Sequence, residues 1–294
     1  MNRCKMQSSR RVLLHFVLFS SLFFLLGYES HITLQQFSLI DADSTQQSLA
    51  PLMLNNEFFV AVTVKDRISY VKLFAENFAW LNVSILAEVH VFDNGSKQFS
   101  NADLTMWFPY ATIHPLDTIQ DPDLATRRAF EYFIEMSSSR ILVNLDSDSL
   151  LHPGWVRFVR QILPQSDGVL SLYHSAAAHH AAFNCGDVTC EKNSTGALGL
   201  VFQRDVLKDV LDNVVESRFD SKQPFDWAVC FYLNRIGKTI IVPLDSLVLH
   251  FGLHGAHGDG LSHVEFDKGF NLTPFPTPIR AQVKFFLENK FVVD

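Results

Sequence analysis

Three short apolar runs, each closing on a polar turn, constrain the architecture of this chain more than any other feature. Phe58–Val64 (FFVAVTV), Val89–Phe92 (VHVF) and Ile141–Leu145 (ILVNL) are continuous and rich in β-branched and aromatic residues, the pattern of strands buried on both faces. Ser69–Leu81 and Asp123–Met136, which lie between them, carry apolar residues at helical spacing. Strands covered on both faces need helices on both sides, so the alternation predicts an α/β fold with a mostly parallel sheet and crossover helices. Thr112–Leu116, Val169–Tyr173, residues 198–202 and Ile240–Val242 supply further strands, and Arg204–Val215 and Phe225–Ile236 further helices. No repeat of about 20–50 residues is present, which argues against a solenoid or propeller. The chain is 48% hydrophobic and 19% charged, which excludes a disordered chain. Its 31 Asp+Glu against 24 Lys+Arg argue against a nucleic-acid partner, which would need a concentrated basic face.

Ahead of this body stands Val12–Tyr28 (VLLHFVLFSSLFFLLGY), preceded by Arg3, Lys5, Arg10 and Arg11 and followed by Glu29. Seventeen residues at a helical rise give about 25 Å, the short end of a bilayer span. The basic flank belongs on the cytoplasmic side. The expected layout is a tail at 1–11, a transmembrane signal anchor at 12–28, a Ser- and Gln-containing stem at 29–54 and a lumenal domain at 55–294, a single-pass type II membrane protein. The competing reading is a cleaved signal peptide, against which no small-residue cut site follows Leu26. Four Asn-x-Ser/Thr sequons, at Asn82, Asn94, Asn193 and Asn271, become informative only with that topology. Cys185 and Cys190 bracket CGDVTC, which is either a disulfide-closed loop or a pair of free thiols. Cys230, in an apolar helical stretch, reads as a buried inert thiol.

Ligands on open α/β sheets bind beyond the carboxyl ends of strands, and carboxylates cluster at those ends here. Asp146-Ser147-Asp148 leaves a buried strand, and two carboxylates so spaced can offer hard oxygen ligands to Mn²⁺ or Mg²⁺ while a substrate diphosphate completes the shell. Its plain alternative is a solvated loop with capping carboxylates. Asp93, in VFDNGS, sits at a turn whose Asn94 and Gly95 tolerate positive φ, and the open question is whether its carboxylate also faces a ligand. Asp226 opens a helix, which favours a carboxylate there. Between Phe225 and Trp227 it is also suited to act as a general base, since partial desolvation raises proton affinity. His250 ends the apolar run LDSLVLH, and His254, His257 and His263 follow in a Gly-rich stretch. A neutral imidazole there is a good ligand for a borderline divalent metal.

In the order EFFVAVTVKDR, EVHVFDNGS, ATRRAFEYF to ILVNLDSDSLLHPGW, NSTGALGLVFQRDVL and FDWAVCFYLNRIGKTIIVPLDSLVLHFG, the chain resembles the GT-A-fold glycosyltransferases similar to family 2, over roughly residues 57–258. The resemblance implies that Asp93 binds the nucleotide's base, Asp146 its ribose and Asp148 the metal, with His250 a further metal or diphosphate ligand and Arg127 or Arg128 meeting the donor. It puts Asp226 in the place of the family's catalytic base. Two positions depart from it: Phe225 stands where the first acid of the family's E-D pair is found, and Tyr232 where an Arg is usual.

The expected function is therefore metal-dependent transfer of a sugar from a UDP- or GDP-sugar to a hydroxyl of a glycan, glycoprotein or lipid, in the Golgi or a related secretory membrane. Inversion follows if Asp226 is the base. A non-catalytic glycan-binding or scaffolding relative with the same fold is the alternative, supported by Phe225 and Tyr232. A lumenal metal-dependent hydrolase would need a denser ligand set than this one. Ser175–Glu191 falls where acceptor specificity is expected to reside.

Overall fold

The computed structural model describes residues 57–116, 121–176, 180–216, 224–252 and 268–288, all within the unit Leu54–Asp294. The expected anchor and stem, and His254, His257 and His263, lie outside the described residues. Among those described, no helix is long and apolar enough to cross a membrane.

In chain order the elements are β1 (Phe58–Val64), α1 (Ile68–Leu81), β2 (Ala87–Asp93), α2 (Asn101–Trp107), β3 (Thr112–Pro115), α3 (Pro122–Met136), β4 (Ile141–Asp146) and β5 (Ser149–Leu151). There follow α4 (Trp155–Ile162), β6 (Val169–Ser171), β7 (Ala182–Phe183), β8 (Thr189–Lys192), β9 (Leu200–Gln203), α5 (Arg204–Glu216), α6 (Phe225–Arg235), β10 (Ile240–Pro243), β11 (Val248–His250) and α7 (Thr277–Glu288). Nine strands form one sheet in the order β3-β2-β1-β4-β9-β6-β10-β8-β7, and β11 with β5 forms a separate two-stranded ribbon. β3, β2, β1 and β4 run parallel, and β6 runs parallel to β10. β9 is antiparallel to β4 and β6, and β8 is antiparallel to β10 and β7.

Strand alternation sorts the side chains of β1 into two cores. Phe58, Val60, Val62 and Val64 face one core with Phe74, Phe78, Leu104 and Trp155, from α1, α2 and α4. Phe59 and Ala61 face the other, with Phe130 and Phe133 of α3, Leu207 and Val210 of α5 and Ala228, Val229 and Tyr232 of α6. A third cluster joins Tyr70 and Leu73 of α1 to Leu150 and Leu249 of the ribbon, Phe251, and Ile279, Val283 and Phe286 of α7. This cluster holds the ribbon against α1, beside the carboxyl end of β1.

The longer elements lie within a few residues of their expected bounds. The departures are at ends and in short pieces: α3 starts one residue earlier because Asp121 accepts the Asp123 N–H at 2.9 Å and Pro122 opens the helix, a favoured first-turn arrangement. Cys185 and Cys190 are joined by a disulfide. Cys230 is buried and free, and burial pushes its thiol up to about 12, as an inert thiol requires.

Candidate active site

Parallel register delivers the strand-end carboxylates to one edge. Val64 lies opposite Asp93 and Thr63 opposite Asp146, so the two aspartates flank the end of the central strand at about 4.8 Å per strand step. Asp93 is buried and its Oδ1 accepts the Ser96 N–H at 2.9 Å, which closes the Asp93–Ser96 turn. Asn94 is 1% exposed, and neither Oδ1 nor Nδ2 of its side chain has a hydrogen-bond partner; the buried Thr63 Oγ1 has none either. Unpaired polar groups in a buried edge are costly unless something supplies their bonds.

Past Asp146 the chain folds back into β5, with Ser149 Oγ donating to the Asp146 carbonyl at 2.7 Å. β11 pairs with β5 so that His250 lies opposite Ser149, and the Phe251 N–H donates to the Asp148 carbonyl at 3.0 Å. His250 is thereby placed with Nε2 3.4 Å from Asp148 Oδ2. Arg67 Nη1 approaches the same oxygen at 2.9 Å. Gly252 packs so close that a Cβ on it would lie 1.8 Å from Asp148 Oδ2.

The two acids of the triplet behave oppositely. Desolvation by burial and the neighbouring Asp148 charge raise Asp146 to about 7. Asp148 is the more buried of the two, and burial alone would raise it, but His250 and Arg67 outweigh that and hold its carboxyl well below the usual range. The charges of His250 and Arg67 thus favour the anion on Asp148, while burial and Asp148 disfavour it on Asp146. Asp226, in the first turn of α6, lies near enough for its charge to raise Asp146 further, and its Oδ1 accepts the Trp227 N–H at 2.7 Å.

Asp93, Asp146, Asp148, His250 and Asp226 therefore gather at one edge of the sheet. Arg127 and Arg128 do not join them through any recorded contact: both pair with Glu131 on α3, at 2.9 and 2.8 Å. Phe225 packs edge-on to Phe130 of α3, and Tyr232 donates its hydroxyl to Asp209 Oδ2 at 2.9 Å, so the two departing positions are built into helix packing. Sequence reasoning missed Arg67, although it closes the quoted TVKDR at the end of the central strand. It also missed Gly252, two residues beyond His250. Asp148 and His250 offer one carboxylate oxygen and one imidazole nitrogen, a donor pair better matched to a borderline ion such as Mn²⁺ than to Mg²⁺. Among the described residues no group of three His, Cys, Asp or Glu is arranged to hold a metal ion by itself.

No protein-family model and no curated protein matches the chain. Among solved structures it is similar to S. aureus TarS 1-349, at 12% identity and a TM-score of 0.47 over 64% of this chain and 57% of that one. A TarS crystal structure not restricted to those residues gives 15% identity and a TM-score of 0.46, over 65% of this chain and 35% of that one. TarS 1-349 in complex with UDP-GlcNAc gives 12% and 0.44 over 64% and 55%. The chain thus spans little more than half the length of the first of these. Likenesses of this extent transfer no activity, and the chemistry has to be read from the site itself.

Proposed function

We propose that residues 55–294 transfer a glycosyl group from a nucleoside diphosphate sugar, UDP- or GDP-linked, to a hydroxyl of a glycan, protein or lipid. The observation that carries this reading is the meeting of Asp146, Asp148 and His250, from distant segments, beside Asp93 and Asp226 at the carboxyl edge of parallel strands. In it Asp93 and the unsatisfied side chain of Asn94 face the nucleoside, and Asp146, whose proton affinity burial and Asp148 raise, hydrogen-bonds a ribose hydroxyl. Asp148 and His250 would hold a divalent ion, Mn²⁺ or Mg²⁺, whose contribution when bound is to offset charge on the departing diphosphate. Asp226 takes the acceptor proton as the new C–O bond forms at the anomeric carbon and the bond to the diphosphate oxygen breaks, with inversion. Arg127 and Arg128 stay with Glu131 in this reading.

The same reading places the domain in the lumen of a secretory membrane, most simply the Golgi, anchored by Val12–Tyr28; the Cys185–Cys190 bridge supports an oxidising compartment. Phe225 and Tyr232, committed to packing, favour the second reading, a glycan-binding relative without turnover.

Thermal unfolding of the purified chain with UDP or GDP, with and without Mn²⁺, tests the donor site. Ligand at 100 times Kd stabilises by about 2.7 kcal/mol. Absence of any shift with either nucleotide would remove the donor site. Hydrolysis of the sugar from a donor that binds would separate the enzyme from the non-catalytic relative.

A further inference from the structure

Arg67 has no part in the roles above, yet the chain spends conformational strain to place it. Asp66 and Arg67 have φ of 50° and 58°, the left-handed region that non-glycine residues seldom adopt and that persists where surroundings enforce it. The enforcement is visible: Asp66 Oδ1 accepts the backbone N–H of Lys97 and Gln98 at 2.6 and 3.1 Å, and the Asp66 N–H donates to Ser96 Oγ at 2.9 Å. The turn that begins at Asp93 is thereby clamped to the turn that carries Arg67. From there the guanidinium passes over the Tyr70 ring, 5.5 Å from its centroid, to its contact with Asp148.

Arg67 Nη1 lies 2.9 Å from Asp148 Oδ2, while the side chain as a whole stays 31% exposed. A guanidinium carries five N–H donors, more than one carboxylate oxygen can use, so its remaining edge can serve a second acceptor. The oxygen it covers is also the one His250 approaches and Gly252 crowds, so a divalent ion at Asp148 Oδ2 would compete with the guanidinium for that oxygen. Diphosphate oxygens would accept the fork of donors an arginine offers.

We infer that Arg67 is a tethered cation that competes with a divalent ion for Asp148 and turns to the donor's diphosphate when nucleotide binds, so that a divalent ion binds well only together with the nucleotide. The inference rests on the donor-site reading for its diphosphate half, and for its metal half on the proposed metal role of Asp148 and His250 together with the Arg67–Asp148 contact.

The test compares the wild-type full chain with Arg67→Met. Mn²⁺ binding is followed by the electron paramagnetic resonance of the free ion, and UDP and GDP binding by calorimetry with and without Mn²⁺. Expected are Mn²⁺ binding at least tenfold tighter to the variant without nucleotide, and nucleoside diphosphate binding at least tenfold weaker. Equal Mn²⁺ affinity in the two proteins, or equal nucleotide affinity, overturns the inference while leaving the donor site standing. Failure of both nucleotides to bind the wild type overturns the donor site and the exchange with it, and the two failures are thereby told apart. Should Arg67→Met not fold, Asp148→Asn serves instead: with its carboxylate partner neutralised, Arg67 should bind nucleoside diphosphate in EDTA at least fivefold more tightly than in wild type, and no gain overturns the inference.

Discussion

Lowering the pH should cost stability at one buried pair of histidines, and His114→Gln should remove the part that His114 contributes. His90 on β2 and His114 on β3 sit side by side because register pairs β2 with β3, and His90 Nδ1 lies 2.8 Å from His114 Nε2. The rings are walled by Phe59, Phe92 and Tyr132, and Glu88 Oε2 is 3.5 Å from the far nitrogen of His90. Burial first, then the neighbouring imidazole, lowers His114 to about 4; burial also lowers His90, against the pull of Glu88. A histidine depressed in the folded state leaves the unfolded chain holding more protons between the two pKa values. The contribution is fully present above about 6.5 and is lost as pH falls toward 4. At about 1.36 kcal/mol per pH unit the ceiling is about 3.4 kcal/mol. His114 is partly exposed, and solvent screening reduces that to about 1–2 kcal/mol. Asp146 runs the other way, since an acid raised to about 7 costs stability as pH rises from its unfolded value, so the wild-type profile alone is ambiguous. The difference between wild type and His114→Gln cancels Asp146, and Gln keeps a side-chain donor for His90. Urea unfolding of both proteins between pH 7.5 and 4.5, followed by tryptophan fluorescence, gives the two profiles. Parallel profiles would refute the reasoning, whatever the offset between them.

Asp226→Asn is expected to lower turnover by about 10²–10⁴ with donor affinity nearly unchanged, as for loss of a general base; near-normal transfer would leave Asp226 a helix-start carboxylate. Glycopeptide mass spectrometry of secreted material should find Asn94, 1% exposed, unoccupied, and glycan on Asn193 or Asn271, which are exposed; high occupancy at Asn94 would mean that its turn faces solvent. Gly252→Ala, whose Cβ would meet Asp148 Oδ2 at 1.8 Å, should weaken nucleoside diphosphate binding at least tenfold in calorimetry while the melting temperature moves by only a few degrees. Gly199→Ala combines a φ of 76° with a Cβ 2.8 Å from the Tyr173 backbone nitrogen, so its loss should appear in urea unfolding instead, at about 2 kcal/mol or more.

What the chain revealed in advance follows from where its information is local. β1 and β4 were legible because burial on both faces writes itself as an unbroken apolar run, and Asp93 and Asp146 because a polar turn after such a run marks a strand end. β5, β7 and β8 are two to four residues each, too short for any period, and are defined by their partners, whereas β11 shows as the apolar run that ends at His250. α2 did carry a local signal, the capping box in which Ser100 and Asp103 bond each other's backbone, and it went unread. α7 packs through Ile279, Val283 and Phe286, yet lies beyond the stretch in which the family resemblance drew attention. The left-handed turn at Asp66 and Arg67 has no distinctive signature, since Asp tolerates that region but Arg seldom enters it; the clamp from Ser96, Lys97 and Gln98 enforces it. For the same reason the convergence of Arg67 with Asp148 could not be read from either segment alone, whereas the Glu131 pairing of Arg127 and Arg128 needs only helical spacing of three and four.

The ribbon of β5 and β11 has a consequence for the order in which this protein becomes itself. Its two strands are separated by the whole span from α4 to β10, so the pairing that sets His250 beside Asp148 closes a long loop, and contacts of that kind form late and slowly. On a ribosome adding about 5–20 residues per second, β1, β2 and β4 are exposed for several seconds before β11 emerges. Through that interval Leu150 lacks its cover from Leu249 and Phe251, and Asp148 lacks its histidine. The nascent chain therefore carries a sheet edge without a finished site, and a protein truncated before residue 248 should keep Asp146 and Asp148 yet lack the His250 and Phe251 contacts to Asp148.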